Sequence, residues 1–166
     1  VVENNLFDTI YHEHLDYHHA APLVKFLNMI GFKIVSISKN KIQGGTIRIL
    51  CKKTKAIKNT IQVQNFLKNE KKRLIYNDKF MKNWSELISS KMNEFSIYIK
   101  DKIKNKNVIC GYGAPTKAVL LLKLSMLTKS NIRFTVEDNT LKLNKYLPRS
   151  KIKIVDFRRL NEQQPD

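Results

Sequence analysis

The chain has 166 residues, 42 % of them apolar, which is enough for one ordinary domain with a real core, or for pieces of two, and excludes wholesale disorder. Its 31 Lys and Arg against 14 Asp and Glu give a formal charge of +17, which suits an anionic partner. Most of that excess is Lys scattered among Asn and Ile, with no Arg-rich stripe or aromatic stacking platform, so nucleic acid is not the expected partner.

Residues 9–19, TIYHEHLDYHH, hold all four histidines of the chain. On a helix His14 and His18 would share a face as metal ligands often do, but the His-Glu-x-x-His pattern of a zinc helix is missing, so no metal is assigned. Tyr11, Glu13 and His14 also form an acid/base set: an imidazole beside a carboxylate titrates near neutrality, and a tyrosine can donate to a developing oxyanion. The same residues could merely lead into a helix, with Asp16 or a neighbour helping its N-terminus, and their chemistry alone leaves both readings open.

Apolar residues from Pro22 to Ile30 recur at helical spacing and stop at Gly31, predicting a helix over about Ala20 to Ile30. Phe32 to Ile37 alternates as a strand, and Thr46 to Cys51 is a second strand behind the turn at Gly44-Gly45. Residues 54–105 contain no Gly or Pro; Phe66, Ile75, Phe80, Trp84, Leu87, Ile88, Met92, Phe95 and Ile99 predict two helices, the second over about Asp78 to Ile103. Cys51 and Cys110 sit far apart in strand-like segments and read as small core hydrophobes in a reducing, cytoplasmic setting.

From Asn107 onward the pattern is a short strand Val108 to Cys110, the turn Gly111-Tyr112-Gly113-Ala114-Pro115-Thr116-Lys117, a helical run Ala118 to Leu127, and a strand Ile132 to Val136. That is the opening βαβ of a Rossmann-like domain, with a third short strand at Lys153 to Val155. The glycines would let backbone approach a ligand, and the helix start with Lys117 favours an anion such as phosphate. A third Gly is absent, so the turn is not a full dinucleotide fingerprint and a ligand-free βα turn is the alternative. Glu137-Asp138 stands about 20 residues beyond the turn, where such folds place the acid that meets a ribose hydroxyl; the alternative is an acid capping the turn Asp138-Asn139-Thr140.

Taken in order, Phe7-Asp8-Thr9-Ile10-Tyr11-His12-Glu13-His14, Gly31-Phe32, Gly44 to Arg48, Gly111 to Lys117, Val136 to Asn139 and Lys145 to Pro148 resemble the C-terminal half of S-adenosylmethionine-dependent nucleotide-sugar C-methyltransferases. The resemblance implies an α/β chain in three parts. Residues 1–53 would be the end of a class I methyltransferase (Rossmann-like) sheet, 54–105 a helical connection, and 106–166 a truncated Rossmann-like substrate-binding domain. The methyl-donor loop and the zinc cysteines of an N-terminal domain would lie before Val1, and the chain is expected to be cut from a longer protein and inactive alone.

The resemblance further implies that His14 is the base removing a proton beside the sugar's ketone, giving an enolate that takes the methyl group of S-adenosylmethionine. Glu13 would be its partner and Tyr11 a donor to oxygen. Gly111, Tyr112, Gly113 and Lys117 would face the nucleotide diphosphate, and the Rossmann pattern adds Asp138 as the substrate-binding acid. Ala118 and Arg149 stand where the family commonly has Gly. A non-catalytic nucleotide-sugar or phosphate-binding module is the alternative. No membrane partner is expected, since no apolar run is long enough to span a bilayer and no signal peptide is found.

Overall fold

A computed structural model describes residues 2–54, 58–73 and 77–166. By contact the chain divides into two compact units: Val1–Phe7 with His14–Trp84, and Asp8–Glu13 with Ser85–Asp166. Among the described residues no helix is long and apolar enough to cross a membrane.

The first unit runs α1 (Ala20–Met29), β1 (Phe32–Asn40), β2 (Thr46–Lys53) and α2 (Ile61–Lys71), so the helix, strand, turn, strand order read from the sequence is present. β1 and β2 form an antiparallel pair. The alternation expected in β1 is interrupted, because Ile34 pairs with Cys51 but Ser36 with Leu50, leaving Val35 as an inserted residue. A regular strand would turn Ile34 and Ser36 to the same face. The bulge instead brings Ile37 round to join Ile34, and both are fully buried with Ala20, Val24 and Val63.

The free edge of β1 is closed by side chains from the start of α2. Gln62 Oε1 accepts from Ile37 N at 3.1 Å, and its Nε2 donates to Ile37 O at 2.7 Å, as a paired strand would. Asn59 accepts from Ile34 N, and Thr60 Oγ1 donates to Val35 O while also accepting from Val63 N to cap α2. The cap of α1 differs from the expectation. Asp16 does not provide it; the carboxylate of Glu70, fifty residues on, accepts from Ala20 N at 2.8 Å and Ala21 N at 2.9 Å. Separation along the chain hides such a partner, although an acid at a helix start is favoured wherever it comes from.

α3 spans Asp78–Lys104, close to the expected limits; Ile75, counted in the helical pattern, lies outside the described residues. Its residues from Ser85 onward belong to the second unit. Met92, Ser96 and Ile99 are buried at helical spacing, with Phe95 and Ile103 packed beside Ile99 against the core. That unit continues with β3 (Gly111–Tyr112), α4 (Thr116–Leu124), β4 (Thr135–Val136), β5 (Ile154–Val155) and α5 (Arg159–Gln163).

β3, β4 and β5 lie side by side and parallel, with α4 as the crossover between the first two, so the expected βαβ unit is formed. The ladder lies two to three residues later than the sequence suggested. Hydrogen bonding begins at Ile109, whose carbonyl accepts from Arg133 N, but the paired residues are Gly111 and Tyr112 rather than Val108 to Cys110. Leu122 of α4 packs with Ile99, Ala114, Leu127, Ile132, Leu147, Ile152 and Ile154 in the core of this unit. Both cysteines are half-buried free thiols, and burial pushes the Cys110 thiol above its ordinary value.

Replacing Glu70 by Ala should lower the stability of the first unit by about 1–2 kcal/mol, because two amides at the head of α1 lose a charged acceptor. Urea unfolding followed by circular dichroism measures this, and an unchanged midpoint would count against the cap.

Candidate functional site

The turn after β3 is shaped by its two glycines for different reasons. A Cβ on Gly111 would come within 2.8 Å of Thr135 Oγ1, so only glycine lets β3 approach β4 this closely. Gly113 adopts φ +84°, the left-handed region that other residues rarely enter. Between them Tyr112 projects outward, its ring edge-on to Phe157 with centroids 6.1 Å apart.

The rest of the turn is fastened from β4 and the loop behind it. Thr135 Oγ1 donates to Gly113 O at 2.8 Å. Glu137 Oε2 accepts from Ala114 N, and Lys142 Nζ donates to Ala114 O and to the same carboxylate oxygen, each at 3.0 Å. Glu137 Oε1 accepts from the amides of Asp138 and Asn139. The side chain is only 15 % exposed. The Lys142 ammonium first, then the Asn139 and Ala114 amides, hold its carboxyl down at about 2.

Two consequences follow for ligand binding. A carboxylate offers about four acceptor positions, and all four of Glu137's are engaged within the fold, whereas its neighbour Asp138 is exposed. The amides of Gly111, Gly113 and Ala114 are likewise donated inward, to Phe134 O, Val136 O and Glu137. The expected backbone cradle for phosphate is therefore not open at these three positions. What remains for an anion is the head of α4, where the Thr116 and Lys117 amides begin the helix.

A cavity of about 460 Å³ lies in the second unit, lined by Tyr11 and His12 together with Ala114, Pro115, Thr116, Val119 and Leu120. Tyr146, Leu147 and Pro148 complete it. A larger cleft of about 590 Å³ along β5 and α5 holds Arg133, Lys153, Arg158 and Arg159 but none of the turn, so the smaller cavity is the one that gathers residues expected to act together.

Of the expected acid/base set, Tyr11 is on the cavity wall, half-buried. Glu13 is exposed, its Oε1 3.9 Å from Nε2 of His12. His14 is exposed and groups with the first unit, where its ring meets that of Tyr17 edge-on at 6.3 Å. Among the described residues no three of His, Cys, Asp and Glu gather as a metal site. Lys117 has its ammonium 3.0 Å from Asp8 Oδ2.

Sequence reasoning missed roles for His12, Lys142 and Asp8; for Glu137 it offered the capping of the turn Asp138-Asn139-Thr140, which the Asp138 and Asn139 amides bear out, but not the bonds to Ala114 and Lys142. Lys142 could have been suspected from its place five residues beyond an acid at a strand end; nothing local marks Asp8 as the partner of a lysine 109 residues away. The departure at Arg149 has a structural meaning, since it holds φ +63° in the turn after Pro148, a conformation that disfavours side chains and that glycine adopts freely.

Residues 41–166 match the family model described as C-methyltransferase C-terminal domain. Over 155 residues the chain is 27 % identical to the C-methyltransferase NovU of Streptomyces niveus, a match covering 93 % of this chain and 37 % of that protein. The chain therefore spans well under half the length of this curated relative.

Glu137→Gln keeps the side chain's shape and removes its charge, and should cost about 1–3 kcal/mol at pH 7. Folding holds this carboxyl at about 2 against an ordinary 4.5, so its contribution is complete above pH 4.5 and is lost as pH falls towards 2. Urea melts at pH 7 and pH 3 should show the gap between wild type and variant narrowing at the lower pH; an equal gap at both would refute the assignment. Arg149→Gly should gain about 0.5–1 kcal/mol in the same measurement.

Proposed function

This chain belongs to the C-methyltransferase C-terminal domain family, and we propose that it forms the acid/base and substrate-holding portion of an enzyme that methylates the carbon beside the ketone of a nucleotide-linked deoxysugar. The observation that supports the reading is the cavity lined together by Tyr11, His12 and the Gly-rich turn's Ala114 to Thr116. Abstracting a proton beside a ketone moves negative charge onto the carbonyl oxygen, so the transition state needs a base and an oxygen-directed donor together. Tyr11 is the donor. By the resemblance His14 is the base and Glu13 its partner, and His12 is the second candidate for that role because it lies on the cavity wall, with Glu13 Oε1 3.9 Å from its Nε2.

The nucleotide part would lie along the rim formed by Tyr112, Gly113, Lys117 and Asp138, with the diphosphate drawn to the positive head of α4. Gly111 serves that rim by allowing the close approach of β3 to β4. The described residues do not fit S-adenosylmethionine: the first unit has no strand, glycine loop and helix in succession, and the glycine turn of the second has its amides donated inward. That cofactor supplies an electrophilic methyl group when bound, and we assign its binding to another portion of the enzyme.

The intact enzyme should be stabilised by several degrees in a thermal-shift assay by deoxythymidine diphosphate or a deoxythymidine-diphosphate sugar, more so with S-adenosylhomocysteine, and not by DNA. Stabilisation by DNA alone would overturn the reading. His14→Ala should reduce kcat by about a hundredfold or more with nucleotide-sugar affinity retained. The same loss in His12→Ala, with His14→Ala near wild type, would move the base to His12.

A further inference from the structure

We propose that Asp8 is a positioning residue: through Lys117 it fastens the stretch Asp8–Glu13 to the head of α4, and so sets Tyr11 and His12 on the cavity wall. This inference rests on the proposed function for its catalytic meaning but not for its geometry. Residues on either side of the stretch, up to Phe7 and from His14, group with the other unit, while these six group with the unit that contains the Gly-rich turn. Such an excursion needs something to hold it. The Asp8 Oδ2 to Lys117 Nζ contact at 3.0 Å ties the start of the stretch to α4 across 109 residues of chain.

The pairing also answers an electrostatic difficulty at α4. Lys117 occupies the first turn of the helix, where the unsatisfied amides already carry positive charge, and that turn has no acid of its own. Asp8 delivers the missing negative charge from elsewhere in the sequence. Its carboxylate is 43 % exposed and the lysine 45 %, so the link is soft and reversible. The Lys117 ammonium has three protons, and one spent on Asp8 leaves others for a substrate anion. The same lysine therefore joins the nucleotide rim to the segment carrying Tyr11.

Three variants of the intact enzyme test this: Asp8→Asn, Lys117→Asp, and the exchange Asp8→Lys with Lys117→Asp. An acid at residue 117 suits a helix start, so α4 itself accepts it, while in Lys117→Asp alone the new carboxylate faces and repels Asp8. Amide hydrogen exchange of residues 9–13 should quicken by about three- to fivefold in Asp8→Asn and return towards wild type in the exchange variant. In Asp8→Asn kcat should fall by at least the same factor while KM for the nucleotide-sugar stays within about twofold, a split that loss of a phosphate contact would not give. Unchanged exchange in Asp8→Asn, or an exchange variant no better protected than Lys117→Asp alone, would overturn the proposal. A wild-type enzyme that neither binds nor methylates nucleotide-sugars, yet shows the exchange pattern, would overturn the function and leave the tether standing.

Discussion

The second unit depends on one carboxylate. Glu137 sits at the end of β4, facing the turn that follows β3, and its four acceptor positions take three backbone amides, from two segments, and one ammonium. Without it the Ala114 amide would lose its partner, and Lys142, which also holds Ala114 O, would lose its counter-charge. Because bonds to a charged group are roughly twice as strong as neutral ones, this acid can keep a glycine-rich turn in one conformation despite the freedom glycine brings.

That constraint changes how the turn can meet a ligand. Loops that cradle phosphate with backbone amides need those amides pointing outward, and here Gly111, Gly113 and Ala114 point theirs into the sheet and onto Glu137. Attraction for an anion passes to the head of α4, where Lys117 already has an acid beside it. The rim is thus rigid at its base and adjustable at its one long cation. Such a division would suit the proposed nucleotide-sugar site, in which a nucleotide is held firmly while the reacting sugar meets a separate set of groups.

Element types and order were legible in the sequence because they rest on local patterns. α1, the two antiparallel strands, the long α3 and the parallel βαβ unit all follow from periodicity and from where glycine and proline stand. Local patterns fail where a distant group decides. Ser36 belongs on the core face by alternation, yet the bulge at Val35 gives that place to Ile37, because burying the larger apolar side chain against Ala20, Val24 and Val63 outweighs a regular ladder. Likewise Asp16 is the nearest acid before α1, but Glu70 is the one that reaches its amides.

By itself the sequence determined which residues are chemically able to act: Tyr11, Glu13 and His14 for proton transfer, Gly111 and Gly113 for a tight turn, Lys117 for an anion, and the acids at the end of β4. Side-chain type is enough for that. Only the tertiary structure decided which of these groups meet, since partners separated by 109 residues, as Asp8 and Lys117 are, leave no periodic trace in the chain. It also divided the two neighbouring acids between roles, Glu137 turned inward and Asp138 left exposed, because the end of β4 lies beside Ala114 and Lys142 only once the parallel sheet has formed.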